Sequence, residues 1–217
     1  MTQSIRISAL ALAGALALAL PFAAGAAPKA KTEAAPKPVG PAVVDAYVKD
    51  TFGKAPEDWQ QRIVPDETLK TCNAYHNNVP PKEADAIIKR EMTKVVYPAD
   101  GQLLGDWKSG KKIADNGRGG QFSDKPDTVS GGNCYACHQL DKAEVSFGTL
   151  GPSLTNYGKD RKFDPEEAKA TFAKIYDSQA FVACSNMPRF GTNKVMSEKQ
   201  IKDLVALLFD PESPVNK

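Results

Sequence analysis

The chain has 217 residues, and its 28 Lys+Arg against 26 Asp+Glu give a formal net charge of +2. So even a balance excludes the strong basic surface on which nucleic-acid binding rests, and any steering of a charged partner must come from local patches. Four cysteines and two histidines are the scarce chemical groups.

In chain order, the first segment is "MTQSIRISALALAGALALALPFAAGAAPKA". A basic Arg6 precedes an apolar run from Ala9 to Leu20, and Ala24 and Ala26 then form an A-x-A arrangement. This is the pattern of a secretory signal peptide over residues 1–26, cut near Ala26. The run falls short of the roughly 20 residues that span a bilayer, and no later run approaches that length, so stable membrane insertion is not expected. Export would place the cysteines in an oxidising compartment, the periplasm, where disulfides persist.

Residues 27–41, "APKAKTEAAPKPVGP", are rich in Ala, Pro and Lys and read as a flexible linker. A helical N-terminal extension over 42–99 follows. Val43, Val44, Tyr47 and Val48 share one helical face, and a short helix is predicted around Glu57–Ile63 with irregular chain after it. "PPKEADAIIKREMTKVVYP" (80–98) carries prolines at both ends and apolar Ala84, Ile87, Ile88, Met92, Val95 and Val96 at helical spacing, which predicts one helix with Met92 in its core face.

A second unit, 100–217, begins with a short predicted helix holding Leu103, Leu104, Trp107 and Ile113, closed by a glycine-rich turn. Asp164 and Pro165 mark a helix start, with Glu166 and Glu167 in its first turn. The last helix, "SEKQIKDLVALLFD", opens on a capping box of Ser197 and Gln200 and buries Ile201, Leu204, Val205, Leu207 and Leu208. No strand pattern or repeat stands out, so the chain is expected to be mainly α.

The chemistry is concentrated in "CYACH", residues 134–138. C-x-x-C-H is the attachment signature of a c-type haem: two thiols on one turn, Cys134 and Cys137, can add to the two vinyl groups of one porphyrin, and His138 then lies under the iron. A zinc site would need four ligands, yet Cys72 and Cys184 are isolated, and a thioredoxin-like motif would need a βαβ pattern. One covalently bound haem c is the reading.

The second axial ligand has few sources. Met187 lies in "CSNMPRFG", 49 residues after His138 (187 − 138), in a loop followed by proline, as small cytochromes c present their distal methionine. His76, in the polar stretch "NAYHNN", is the alternative ligand, otherwise a surface histidine. "GPSL", Gly151–Leu154, resembles the proximal segment of cytochromes c, where a carbonyl, here that of Pro152, accepts from the histidine Nδ1. The leftover Cys72 and Cys184 are expected to form a disulfide, with a free, reactive Cys184 as the rival.

The stretches "GGNCYACHQL", "GTLGPSLTNYGKDR", "KIYDSQAFVACSNMPRFG" and "EKQIKDLVALLFDPESPVNK" resemble the SoxX family, the monohaem cytochrome subunit of the SoxAX complex in thiosulfate oxidation. The likeness covers roughly residues 100–217 and is weaker before them. It implies a class I cytochrome c-like haem domain with a helical N-terminal extension. It further implies an electron-accepting subunit of a complex that couples thiosulfate oxidatively to a carrier-protein cysteine, an L-cysteine S-thiosulfotransferase. Its partners would be a SoxA-like cytochrome, a SoxY-like carrier and a soluble cytochrome c acceptor. By position, Cys134 and Cys137 would hold the haem, with His138 and Met187 as axial ligands and no catalytic residue in this chain. The alternative is a free periplasmic electron-transfer cytochrome without an enzyme partner.

Overall fold

Side-chain caps at Asp66, Asp106, Asp164 and Ser197 each open a helix in the computed structural model, which describes residues 40–121, 123–125 and 127–217. The expected leader, and the linker up to residue 39, lie outside the described residues. Residues 47–217 form one compact unit; of the other, Met1–Ala46, residues 40–46 are described.

Helix α1 covers Pro41–Phe52, and α2 (Glu57–Ile63) follows it. Helix α3 (Glu67–Ala74) replaces the irregular chain expected there. Its cause is local: the Asp66 side chain accepts from the Leu69 amide at 2.8 Å, and Thr68 and Cys72, one turn apart, are its buried pair. Helix α4 (Pro81–Met92) starts at the expected proline but stops at Met92, six residues before Pro98. Ile87 and Glu91 are its buried residues. Met92 stays 36 % exposed, so the core position expected for it is corrected: four residues past Ile88, it continues the outer edge of the helix.

Helix α5 (Trp107–Asp115) is capped by Asp106, whose Oδ2 accepts from the Ser109 amide at 2.9 Å. After the motif come α6 (Tyr157–Asp160), α7 (Pro165–Tyr176) and α8 (Glu198–Phe209). Asp164 caps α7, with Pro165 at its first position, and the Ser197–Gln200 capping box opens α8 as expected. No strand occurs among the described residues, so the chain is mainly helical.

Helix α8 is the central element. It buries Ile201, Leu204, Val205, Leu207, Leu208 and Phe209 against α5 and α7 in a core that includes Ile113, Leu140, Phe172 and Ile175. Burial of these side chains, each contributing about 1.5–3 kcal/mol, fixes the surface from which the motif and the Met187 loop project. The chain end seals this core. Asn216 Oδ1 accepts from the Gly158 and Lys159 amides, and its amide group donates to the Leu208 and Asp210 carbonyls. The terminal "DPESPVNK" is thus a clasp between α6 and α8.

Candidate haem site

The motif hangs from the end of α5. Gly132 donates to the Ile113 carbonyl at 2.9 Å and Asn133 to the Asn116 carbonyl at 3.0 Å. Asn133 takes a left-handed conformation (φ 46°), which turns the chain into a single 3-10 turn over Cys134–Ala136. The amides of Cys137 and His138 both donate back to the Cys134 carbonyl, at 3.1 and 2.9 Å. Both thiols and the imidazole therefore project from one rigid turn. Gly132 packs closely under the motif: a Cβ there would sit 2.9 Å from Cys134 Sγ and 3.0 Å from Met196 Cε, so both side chains would have to shift.

Cys134 and Cys137 are both unpaired and half-buried. Burial pushes the Cys134 thiol up to about 12, so it stays protonated at neutral pH. A structural zinc site needs four ligands. Among the described residues no cluster of three or more His, Cys, Asp or Glu could hold a metal ion.

His138 is oriented by its second nitrogen. Nδ1 lies 2.7 Å from the Pro152 carbonyl, which can only accept, so Nδ1 carries the proton and Nε2 keeps its lone pair for a ligand. Gly151 makes this possible. A Cβ there would fall 2.1 Å from His138 Cε1 and 2.4 Å from Nδ1, inside the ring's own volume. The Gly151 amide donates to the Cys137 carbonyl at 2.8 Å and the Leu154 amide to the Gln139 carbonyl at 2.7 Å, so the 151–154 segment is stitched to the motif.

Met187 sits in the loop between the 3-10 turn Ser178–Ala180 and α8, partly buried against the core. Its carbonyl accepts from Ser178 Oγ at 2.5 Å and its amide donates to Ser185 Oγ at 3.2 Å. His76, the alternative ligand, is exposed in a left-handed turn (φ 49°) just past α3. Met196, at the start of α8, is a core residue, 4 % exposed.

The Met187 loop is fastened on both sides of the methionine. Cys184 is bonded to Cys72 of α3, with Cα atoms 5.5 Å apart and both side chains buried. The rival free Cys184 therefore does not occur in this structure. Arg189, 6 % exposed, donates from Nη1 to Asp66 Oδ2 at 2.7 Å and to Glu91 Oε2 at 3.1 Å. Lys94 Nζ reaches Glu91 Oε1 at 2.8 Å, and Thr68 Oγ1 donates to the same oxygen.

Burial alone would raise the Asp66 and Glu91 carboxyls. The Leu69 amide and Arg189 outweigh it at Asp66, and Lys94, Thr68 and Arg189 do so at Glu91, so both lie below the usual carboxylate range. The neighbouring Asp177 goes the other way, raised by burial and by the Glu91 charge although Thr192 donates to it. None of these network residues was singled out in the sequence, Arg189 standing there only inside the quoted "CSNMPRFG". Asp66 alone left a signal, as a helix N-cap.

The unpaired thiols, the free Nε2 and the partly buried thioether are the donor set that a covalent haem requires, and all of them lie in residues 134–187 of the same compact unit. A haem so held predicts that the Cys134→Ala/Cys137→Ala double variant loses covalent haem altogether, while each single variant keeps one thioether link. In-gel haem staining of denatured protein reads this directly, and stained haem on the double variant would refute it.

The Cytochrome c family model matches residues 108–209. An uncharacterized lipoprotein of Aquifex aeolicus (strain VF5) is 34% identical over 179 residues, covering 81% of this chain and 84% of its own length. The helical core, the motif turn and the family match agree: the chain carries a cytochrome c domain over residues 108–209, which supports a c-type cytochrome, implies a redox electron-carrier role and implies covalently bound haem c.

Proposed function

We propose that this c-type cytochrome is the electron-accepting subunit of a SoxAX-type thiosulfate-oxidising complex, exported to the periplasm. The observation that carries the reading is the Met187 loop. "CSNMPRFG", part of one of the stretches that resemble SoxX, has its cysteine, methionine and arginine each tied down in the fold.

In this reading Cys134 and Cys137 would hold one haem through thioethers, and His138 Nε2 and Met187 Sδ would be the ligands to its iron. The bound haem supplies a one-electron ferric/ferrous couple, whose potential a thioether raises relative to a second histidine. Pro152 holds the His138 proton at Nδ1. Ser178 and the loop fastenings hold the methionine backbone. Two protein ligands leave no open position for a substrate, so the subunit suits electron transfer, and sulfur chemistry falls to a SoxA-like partner acting on a SoxY-like carrier cysteine. Residues 42–99 serve as a helical extension to a haem domain over 100–217.

The leader pattern and a relative named as a lipoprotein both support export. No described helix is long and apolar enough to cross a membrane.

The test is isolation of the mature protein from its native host under mild conditions. The expected result is co-purification with a second exported cytochrome carrying its own C-x-x-C-H, and reduction of this chain's haem when thiosulfate and the carrier protein are added together. A monomer that thiosulfate and carrier leave oxidised would favour the free electron-transfer cytochrome.

A further inference from the structure

We propose that the α3–α4 hairpin is a brace for the distal ligand loop, and that Arg189 is the positioning residue through which it holds Met187 in place. The inference rests on the reading of Met187 as an axial ligand and adds to it a role for residues that lie outside the matched cytochrome c region.

The methionine is bracketed. Three residues before it, Cys184 is bonded to Cys72 on α3. Two residues after it, Arg189 spans the start of α3, at Asp66, and the last turn of α4, at Glu91. Between these points Pro188 restricts the backbone, and Ser178 Oγ holds the Met187 carbonyl. The turn that carries Ser178 itself packs against α4. From Cys184 to Arg189 the disulfide and the arginine lead to the hairpin and Ser178 to a turn seated on it; beyond Arg189 the loop is tied to α7, where the Gly191 and Thr192 amides donate to the Tyr176 carbonyl.

The charges are arranged for this task. Glu91 is fully buried and would be costly if unpaired, yet Arg189, Lys94 and, at 3.6 Å, Arg90 all meet it, and Thr68 donates to it. Asp66 uses one oxygen to cap α3 and the other to take Arg189, so the same side chain fixes the helix start and the loop. An opening of the Met187 loop that carries Arg189 with it breaks the Arg189 contacts and leaves Glu91 with Lys94 and Arg90 alone. Loss of one of three cations, and of its hydrogen bond, from a fully buried carboxylate is unfavourable, so the closed loop is favoured. The hairpin therefore keeps small molecules off the iron by keeping the methionine on it.

The experiment is imidazole binding to the ferric holoprotein, followed by its visible spectrum. Arg189→Gln should bind imidazole about tenfold or more tightly than the unaltered protein, the scale on which loss of a buried pair shifts an equilibrium. Asp66→Asn should shift it in the same direction. It keeps an oxygen to cap α3 and so separates the charge contact from helix stability. Arg189→Lys, which keeps the charge, should fall between Arg189→Gln and the unaltered protein. Met187→Ala is the reference for a fully open site. If Met187→Ala binds imidazole tightly while both Arg189→Gln and Asp66→Asn match the unaltered protein, the brace is overturned and the ligand assignment stands. If Met187→Ala binds no more tightly than the unaltered protein, the ligand assignment itself fails, and the positioning role falls with it.

Discussion

Replacing Met187 by alanine is expected to lower the reduction potential by on the order of a hundred millivolts or more, because axial-ligand identity is the strongest lever a protein has on haem potential. The soft thioether favours ferrous iron, and alanine offers no ligand in its place. The weak long-wavelength absorption of a methionine-ligated ferric haem should vanish together with the drop. The control is His76→Ala, which alters an exposed turn past α3 and should change neither. Spectroelectrochemical titration of the two variants separates the alternatives. If Met187→Ala leaves spectrum and potential as they were and His76→Ala moves both, the axial role passes to His76.

Removing the Cys72–Cys184 bond should be the largest single loss of stability. The bond closes a span of 112 residues. In the chain-entropy account such a loop corresponds to about 4–5 kcal/mol, with real values often nearer 2–4. Cys72→Ala/Cys184→Ala would add the loss of a buried contact with Ile87, since the three residues form their own small core. Denaturant unfolding should show the loss, and alkylation of the unaltered protein without reduction, followed by mass spectrometry, should find a linked peptide pair. Two alkylated cysteines, or unchanged unfolding of the double variant, would refute the bond's role. Reduction should release the Met187 loop before it unfolds the haem-binding core, because α8 and its neighbours do not depend on the bond.

Much of the fold was legible because its signals are local. Asp164 with Pro165, and Ser197 with Gln200, mark helix starts within three residues, and the buried face of α8 repeats at helical spacing. The Cys134–His138 turn is legible for the same reason, since its geometry is set by a five-residue pattern. Helix α3 was missed because its buried pair is a threonine and a cysteine, which no apolar periodicity can display. Helix α4 was drawn too long, because Val95 and Val96 continue the spacing although the chain has already left the helix at Thr93. The brace was illegible for a different reason. Arg189 meets Asp66 across 123 residues and Glu91 across 98, and nothing local ties partners that far apart. Gly151, by contrast, was quoted within its motif, but its contact with the imidazole needed coordinates.

That contact also says how freely neighbouring positions can vary. Leu150 is 88 % exposed, and its side chain constrains almost nothing around it. One residue later even a methyl group would overlap the His138 ring. Mutational tolerance should therefore fall from nearly complete to nearly none across a single peptide bond. In descendants of this sequence that keep the histidine, position 150 is free to drift while position 151 stays glycine.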